Sequence, residues 1–259
     1  TMRAFSNLAT HVRSQQLSDV AVVGVTGSVG KTSTKNLIAG ALSSTAVWAS
    51  PKSFNNEQGV PFTLINTPSG ARTVVVEMGM RGFGEITHLC DVASPTIGVV
   101  TRVGQAHTAR LGGIEGVAKA KAELVASLPN SGTAVLNADD ERVLAMSAIA
   151  SGAVVTYGQH GDVTPTEVQF DAFGRARFRF DSPWGSASVA LQVAGEHMMS
   201  NALAAIAVGG VLKVSVEEIV DGLEAVEPED HRMVVHELAS GSLLIDDCYN
   251  ANPTSVVAA

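Results

Sequence analysis

Val20–Val25 is an almost unbroken apolar run, followed by a glycine-rich turn and then by a helical pattern from Lys31 to about Leu42. An apolar strand joined to a helix by a tight turn predicts half of a βαβ unit. Further strands are expected near Ala46–Ala49, Thr73–Glu77, Ile97–Thr101 and Thr133–Asn137, with helical spacing between most of them. Apolar strands alternating with helices predict a mainly parallel sheet covered on both faces. Ahead of the first strand, Phe5, Leu8, Ala9 and Val12 recur at helical spacing, the pattern of an amphipathic helix.

Between Gly152 and Val193 the period changes to two, as in Ala176–Phe180 and Ser186–Leu191, with interruptions at Gly174 and Asp181-Ser182-Pro183. A small antiparallel sheet is expected near 152–193. Helices should resume over Glu196–Leu212 and Ser215–Leu223, and strands over Val234–Leu238 and Leu243–Asp247. The predicted fold class is therefore α/β, a P-loop-type parallel sheet flanked by helices with a small antiparallel β-subdomain. Asn252-Pro253-Thr254 and the helical start Ser255–Ala259 read as the opening of a further domain at 251–259, after a main domain at 1–250.

Composition narrows the function classes. Hydrophobic residues make up 46% of the 259, enough for a large core, and the formal net charge is -8 with no basic run. A nucleic-acid or membrane-surface role resting on a positive patch is thereby disfavoured, and any bound anion must be held locally. Cys90 and Cys248 lie far apart without CxxC spacing, so no disulfide framework or structural zinc site is suggested, and a reducing, cytoplasmic compartment fits. The apolar run Ala202–Leu212 is shorter than the roughly 20 residues that span a bilayer. The first twenty residues lack the apolar core of a secretion signal, and a monomer is expected.

The strongest chemistry lies at Gly24–Thr34, which reads GVTGSVGKTST. Gly27 and Gly30 let backbone N–H groups of the turn, including that of Ser28, approach phosphate oxygens, and the helix N-terminus that carries Ser33 adds a favourable dipole. Lys31 would reach the β- and γ-phosphates and Thr32 would ligate Mg²⁺. The strict spacing fails by one position, because Val25 stands where the first glycine belongs and Gly24 lies one residue early. A glycine turn alone says little; Gly-Lys-Thr at a strand-to-helix junction is what points to nucleotide.

Other candidates are weaker singly. Glu77 ends an apolar strand at the carboxyl edge, where ligands of open α/β sheets bind and a carboxylate suits Mg²⁺, although alone it reads as a solvent-facing strand end. Ile114, Val117, Leu124 and Leu128 form one helical stripe, and Lys121 falls on it, whereas Lys119 lies roughly opposite. An inward ammonium is costly and has a lowered pKa, which leaves a neutral amine able to react with CO2; the alternative is a lysine that snorkels to the surface. His197 and Asn201, four apart, share one helix face.

The chain resembles the Mur ligase superfamily, whose phosphate loop has the same displaced glycine. Matching segments follow in order: SFNNEQGVP from Ser53, VVVEMGMRGFGEI from Val74, GQAHTARLGG from Gly104, GVAKAKAEL from Gly116, GEHMMSNALAA from Gly195, then DHRMVV and LLIDDCYNANPTS. NNEQGVP, AKAKAEL and DDCYNANPTS look most like the superfamily type that adds D-alanyl-D-alanine to a UDP-N-acetylmuramoyl-tripeptide in peptidoglycan synthesis. The resemblance implies a three-domain enzyme of which this chain is the ATP-binding middle, without its UDP-binding N-terminal domain. ATP would go to ADP and phosphate through an acyl phosphate, which splits one difficult step into two.

It also implies roles. Lys31, Glu77, His107 and Lys121 would be catalytic. Thr32, Glu77, His107 and Lys121 as a carbamate would hold two Mg²⁺ ions. Asn201 would meet adenine, Arg232 the ATP phosphates, and Asp247, or by one position Asp246, the ribose. Asn55 and Asn56 match a loop near phosphate and substrate. With substrate recognition falling largely on flanking domains, the segment alone should bind Mg-ATP weakly and not turn over. The competing readings are another Mur step, a folylpolyglutamate synthetase, or, in a different class, a non-catalytic P-loop nucleotide-binding module.

Overall fold

Parallel strands dominate the computed structural model, which describes residues 1–105, 108–249 and Val256. Helix α1 (Met2–Gln15) leads into β1 (Ala21–Thr26), α2 (Lys31–Ala41), β2 (Val47–Ala49), α3 (Gly59–Ile65), β3 (Thr73–Glu77), α4 (Glu85–Ala93) and β4 (Ile97–Val100). Then come α5 (Thr108–Leu111), α6 (Ile114–Ala126), β5 (Thr133–Asn137), α7 (Glu141–Leu144), a short 3-10 turn and β6 (Ala153–Tyr157). The remainder is β7 (Thr164–Phe170), β8 (Arg175–Ser182), β9 (Gly185–Ala194), α8 (Glu196–Val211), α9 (Val216–Glu224), β10 (Val234–Glu237) and β11 (Leu243–Asp246).

The main sheet has six strands in the order β2-β3-β1-β4-β5-β6, every pairing parallel. Its inner strands are apolar throughout because both faces are covered. Val23, Val25, Val75, Val99 and Val135 pack on one side with α2, α8 and α9, while Val22, Val74, Val76, Val100 and Leu136 pack on the other with α1, α3, α4 and α6. Because β1 is flanked by β3 on one side and β4 on the other, the chain leaves it in opposite directions. The carboxyl ends of β1, β3, β4 and β5 therefore border a crevice, the place where such sheets bind ligands.

Two expectations change. The antiparallel sheet, order β7-β8-β9, begins at Thr164 rather than near 152, since Ala153–Tyr157 is the sixth parallel strand, paired with β5. As an edge strand it is only partly buried, Tyr157 excepted. On α1 the buried positions are Ser6, Ala9, Val12 and Arg13, while Leu8 is exposed. Arg13 is covered because its guanidinium donates to the carbonyls of Leu17, Ala93 and Ser94, closing the C-terminal end of α4. Burial pushes its pKa down. The domain expected to open at 251–259 lies outside the described residues, Val256 excepted.

Two packing features hold the crevice in shape. Helices α2 and α9 meet glycine to glycine: a Cβ on Gly222 would sit 2.0 Å from the Gly40 carbonyl oxygen, so only hydrogen fits there. In β8, Ala176, Phe178 and Phe180 are buried in the same cluster as α8, while Arg177 and Arg179 alternate with them. Among the described residues, no helix is long and apolar enough to cross a membrane.

Candidate active site

A cavity of about 430 Å³ opens at the carboxyl edge of the sheet. Its floor is the turn between β1 and α2. Gly27 has to be glycine because a Cβ there would lie 1.8 Å from Thr101 Oγ1, and Gly30, with φ 81, sits in the left-handed region as the N-cap of α2. The first N–H groups of a helix have no partners within it, so α2 presents donors and the positive end of its dipole to the cavity. Ser28 serves the loop instead: its N–H donates to the Arg102 carbonyl at 2.7 Å, and its hydroxyl accepts from Gly104 N–H at 2.9 Å.

Lys31 and Thr32 occupy the first turn of α2. The Lys31 ammonium donates to the Gly27 carbonyl at 2.8 Å; burial lowers its pKa, Glu77 partly offsets this, and Arg232 lowers it further. The Thr32 hydroxyl donates to Glu77 Oε2 at 2.8 Å and lies 3.2 Å from Ser53 Oγ. Glu77, only 1% exposed at the end of β3, also accepts from Asn55 Nδ2 at 2.8 Å. A buried carboxylate whose bonded partners are a neutral hydroxyl and a neutral amide, with no ion pair among the described residues, is poised for a cation. The hydroxyl, carboxylate and amide oxygens available are the hard donors that Mg²⁺ takes.

The opposite wall comes from the end of the chain. Arg232 Nη2 donates to both Thr32 Oγ1 and Ser53 Oγ at 3.2 Å, and its guanidinium stacks 4.0 Å above the Tyr249 ring, whose hydroxyl donates to Ser53 at 2.8 Å. Its Nε lies 3.1 Å from Glu229 Oε2, close enough for an ion pair though not aligned as a hydrogen bond. Asp247 lines the cavity and accepts from Met233 N–H at 3.3 Å. Asp246 turns away to His231.

On α8, Asn201 is 6% exposed and lies against Gly30, where a Cβ would come within 2.8 Å of its Oδ1. His197 also lines the cavity, and its Nδ1 is buried without a partner among the described residues; burial lowers its pKa, partly offset by Asp247 and Glu196, which favours the neutral ring. Asn201 and His197 thus share one face, as their spacing predicts.

Lys121 is 3% exposed on α6, while Lys119 is exposed with its ammonium over the Phe83 ring. Burial pushes the Lys121 pKa well below its ordinary value and the charge on Lys31 lowers it further; it has no ion-pair partner among the described residues. Its helical phase is fixed by Glu123, whose carboxylate accepts from Gly84 N–H at 2.7 Å and Thr87 N–H at 3.1 Å at the start of α4. Lys121 is not among the described residues that line the cavity.

Of the remaining expectations, Asn56 does not join Asn55. Its side chain accepts from Gln58 and Gly59 N–H in the turn that leads into α3. His107 lies outside the described residues. Sequence reading passed over Thr101 and Asn137, which line the cavity just beyond β4 and at the end of β5, and Lys35, whose buried ammonium donates to the carbonyls of Ser50 and Lys52 at 2.7 and 2.5 Å. A polar residue closing an apolar strand, the sign that singled out Glu77, was equally present at Asn137.

The model of the Mur ligase middle domain matches residues 25–209. Over 98% of its length the chain is 41% identical to the UDP-N-acetylmuramoyl-tripeptide--D-alanyl-D-alanine ligase of Mycobacterium tuberculosis (strain ATCC 25618 / H37Rv), and it covers 51% of that protein. It thus spans about half the length of the curated relatives it matches. A crystal structure of MurF from Acinetobacter baumannii superposes with a TM-score of 0.94 at 34% identity, covering 100% of this chain and 57% of the other. MurF ligase from Thermotoga maritima in complex with ADP gives 0.89 at 27% identity, covering 99% and 59%.

Proposed function

The chain belongs to the Mur ligase family, and on that premise we propose that it is the ATP-binding middle domain of an ATP-dependent, ADP-forming acid–amino-acid ligase. The complete enzyme joins D-alanyl-D-alanine to UDP-N-acetylmuramoyl-tripeptide in peptidoglycan precursor synthesis. One observation carries the reading: the free N-terminus of α2, with Lys31 and Thr32, sits directly over the buried Glu77–Asn55 pair in a single cavity. The match to relatives that carry this dipeptide ligase name supports the choice of substrates.

Each group has a task in phosphoryl transfer, where catalysis is mostly positioning and charge stabilisation. The α2 N–H groups and Lys31 bind the β- and γ-phosphates. Thr32 and Glu77 hold Mg²⁺, which when bound neutralises charge on the phosphate oxygens; Lys121, as a carbamate, is the candidate ligand for a second ion, with His107 expected in the same set. Arg232 supplies positive charge from the opposite wall. Asn201 and His197 face the base, and Asp247 the ribose. A substrate carboxylate then takes the γ-phosphoryl group, and the dipeptide amine displaces phosphate to form the amide.

Substrate recognition falls on flanking domains in this reading, so the 259-residue chain alone binds Mg-ATP weakly and forms no product. The test is phosphate release by the complete enzyme with ATP and UDP-muramoyl-tripeptide, comparing D-alanyl-D-alanine with L-alanine, D-glutamate and a diamino acid. The dipeptide should be strongly preferred. Preference for any other acceptor rejects the assigned step.

A further inference from the structure

Behind the nucleotide wall, two turns bring together side chains that none of the chemistry above uses. The turn before β10 carries His231, Asp246 ends β11, and the turn after it carries Cys248. His231 Nδ1 lies 2.7 Å from Asp246 Oδ2, and Cys248 N–H donates to Asp246 Oδ1 at 3.3 Å. One donor atom from each of the three residues lies within 4.8 Å of the other two. Ligands around a tetrahedral zinc ion, with bonds of about 2.0 to 2.3 Å, stand roughly 3.5 Å apart, so small side-chain rotations close the set.

The backbone is committed to this arrangement. His231 and Met233 have φ of 63 and 51, a left-handed conformation that costs roughly 1–2 kcal/mol per non-glycine residue and is held by the surrounding turn. The Tyr249 N–H donates to the His231 carbonyl at 3.1 Å, tying the second turn to the first. His231 and Cys248 are exposed, so an ion has a path in and water has a place as a fourth ligand.

We propose that His231, Asp246 and Cys248 form a site for a thiophilic divalent cation of the zinc class, with solvent as fourth ligand. Imidazole, carboxylate and thiolate are a nitrogen–oxygen–sulfur set that selects zinc-like ions, whereas the oxygen donors around Thr32 and Glu77 suit Mg²⁺. The thiol gives up its proton to solvent as it coordinates. Without a cation, the Asp246 carboxylate is shared between the His231 ring and the Cys248 thiol, which converge on the same oxygen pair. Occupation staples together the segments whose neighbours, Arg232 and Met233 on one side and Asp247 and Tyr249 on the other, line the nucleotide cavity, so cation and nucleotide affinities are linked.

Cobalt(II) titration of the 259-residue chain tests this. A thiolate-to-cobalt charge-transfer band should grow to saturation at one ion per chain, vanish on adding zinc and persist in excess magnesium. Cys90 gives no such band, being 4% exposed with its sulfur against Met78. Cys248→Ser, near-isosteric at an exposed position, should lose the band, and zinc affinity should fall at least about tenfold in it and in His231→Gln, the lower bound for disturbing even an outer partner of a metal ligand. Unchanged far-UV circular dichroism shows that the variants fold. No saturable band, a band that survives Cys248→Ser, or wild-type zinc affinity in His231→Gln overturns the proposal.

Discussion

Replacing Lys121 by Met is expected to slow phosphate release by the complete enzyme about a thousandfold, at the upper end for loss of one charge-stabilising group, while raising the melting temperature of the 259-residue chain. Both effects follow from one fact, that the amine is 3% exposed and its pKa is driven well below the ordinary range by burial and then by Lys31. A neutral amine reacts with CO2, and the carbamate supplies the anion a second cation needs. Methionine fills similar volume with neither amine nor charge. Between the folded pKa and the unfolded value of about 10.4, the unfolded chain holds a proton that the folded chain lacks, so the penalty on folding grows as pH falls through that window. The stabilisation by Met should accordingly be larger at neutral pH than above pH 10.4. Depleting bicarbonate should slow the parent enzyme and leave the variant unaffected. Equal losses in ADP affinity and in rate would make Lys121 a structural residue.

Glu77→Gln is expected to lower the same rate by about 10²–10³-fold and to raise the Mg²⁺ concentration needed for half-maximal activity. The substitution removes the charge but keeps the shape. Its amide oxygen still accepts from Asn55, and the Thr32 hydroxyl can turn to accept from the new NH₂ group, so the buried pocket stays satisfied. What is lost is the anionic oxygen of the set. Magnesium titrations of rate in both proteins are the check; an unchanged Mg²⁺ requirement with full activity would remove Glu77 from the cation site.

What the sequence disclosed depended on how local the cause was. The displaced glycine and Gly-Lys-Thr disclosed the β1–α2 turn, because the spacing along the chain is the geometry of the loop. The phase of Lys121 was legible from Val117 and Leu124, since a helix maps sequence onto direction. Partial burial hid β6: it is a short edge strand next to the antiparallel segment, and only its parallel pairing with β5 assigns it to the main sheet. Nothing local marks Lys35 and Arg13 as buried charges, because carbonyls that accept from them lie 15 and about 80 residues away. The contacts of Arg232 and Tyr249 with Ser53 join positions separated by 179 and 196 residues. The His231–Asp246–Cys248 group likewise has no sequence spacing of a metal motif and emerges only where two turns meet.

The central claim is that this cavity passes a phosphoryl group from ATP to a carboxylate. Incubating the complete enzyme with ATP and UDP-muramoyl-tripeptide, without dipeptide, in neutral hydroxylamine tests it most directly, because an acyl phosphate is captured as a hydroxamate. The account predicts ATP-dependent hydroxamate that disappears in Lys121→Met and Glu77→Gln. ATP consumption with the tripeptide substrate but no hydroxamate, under conditions where the dipeptide yields product, would contradict it.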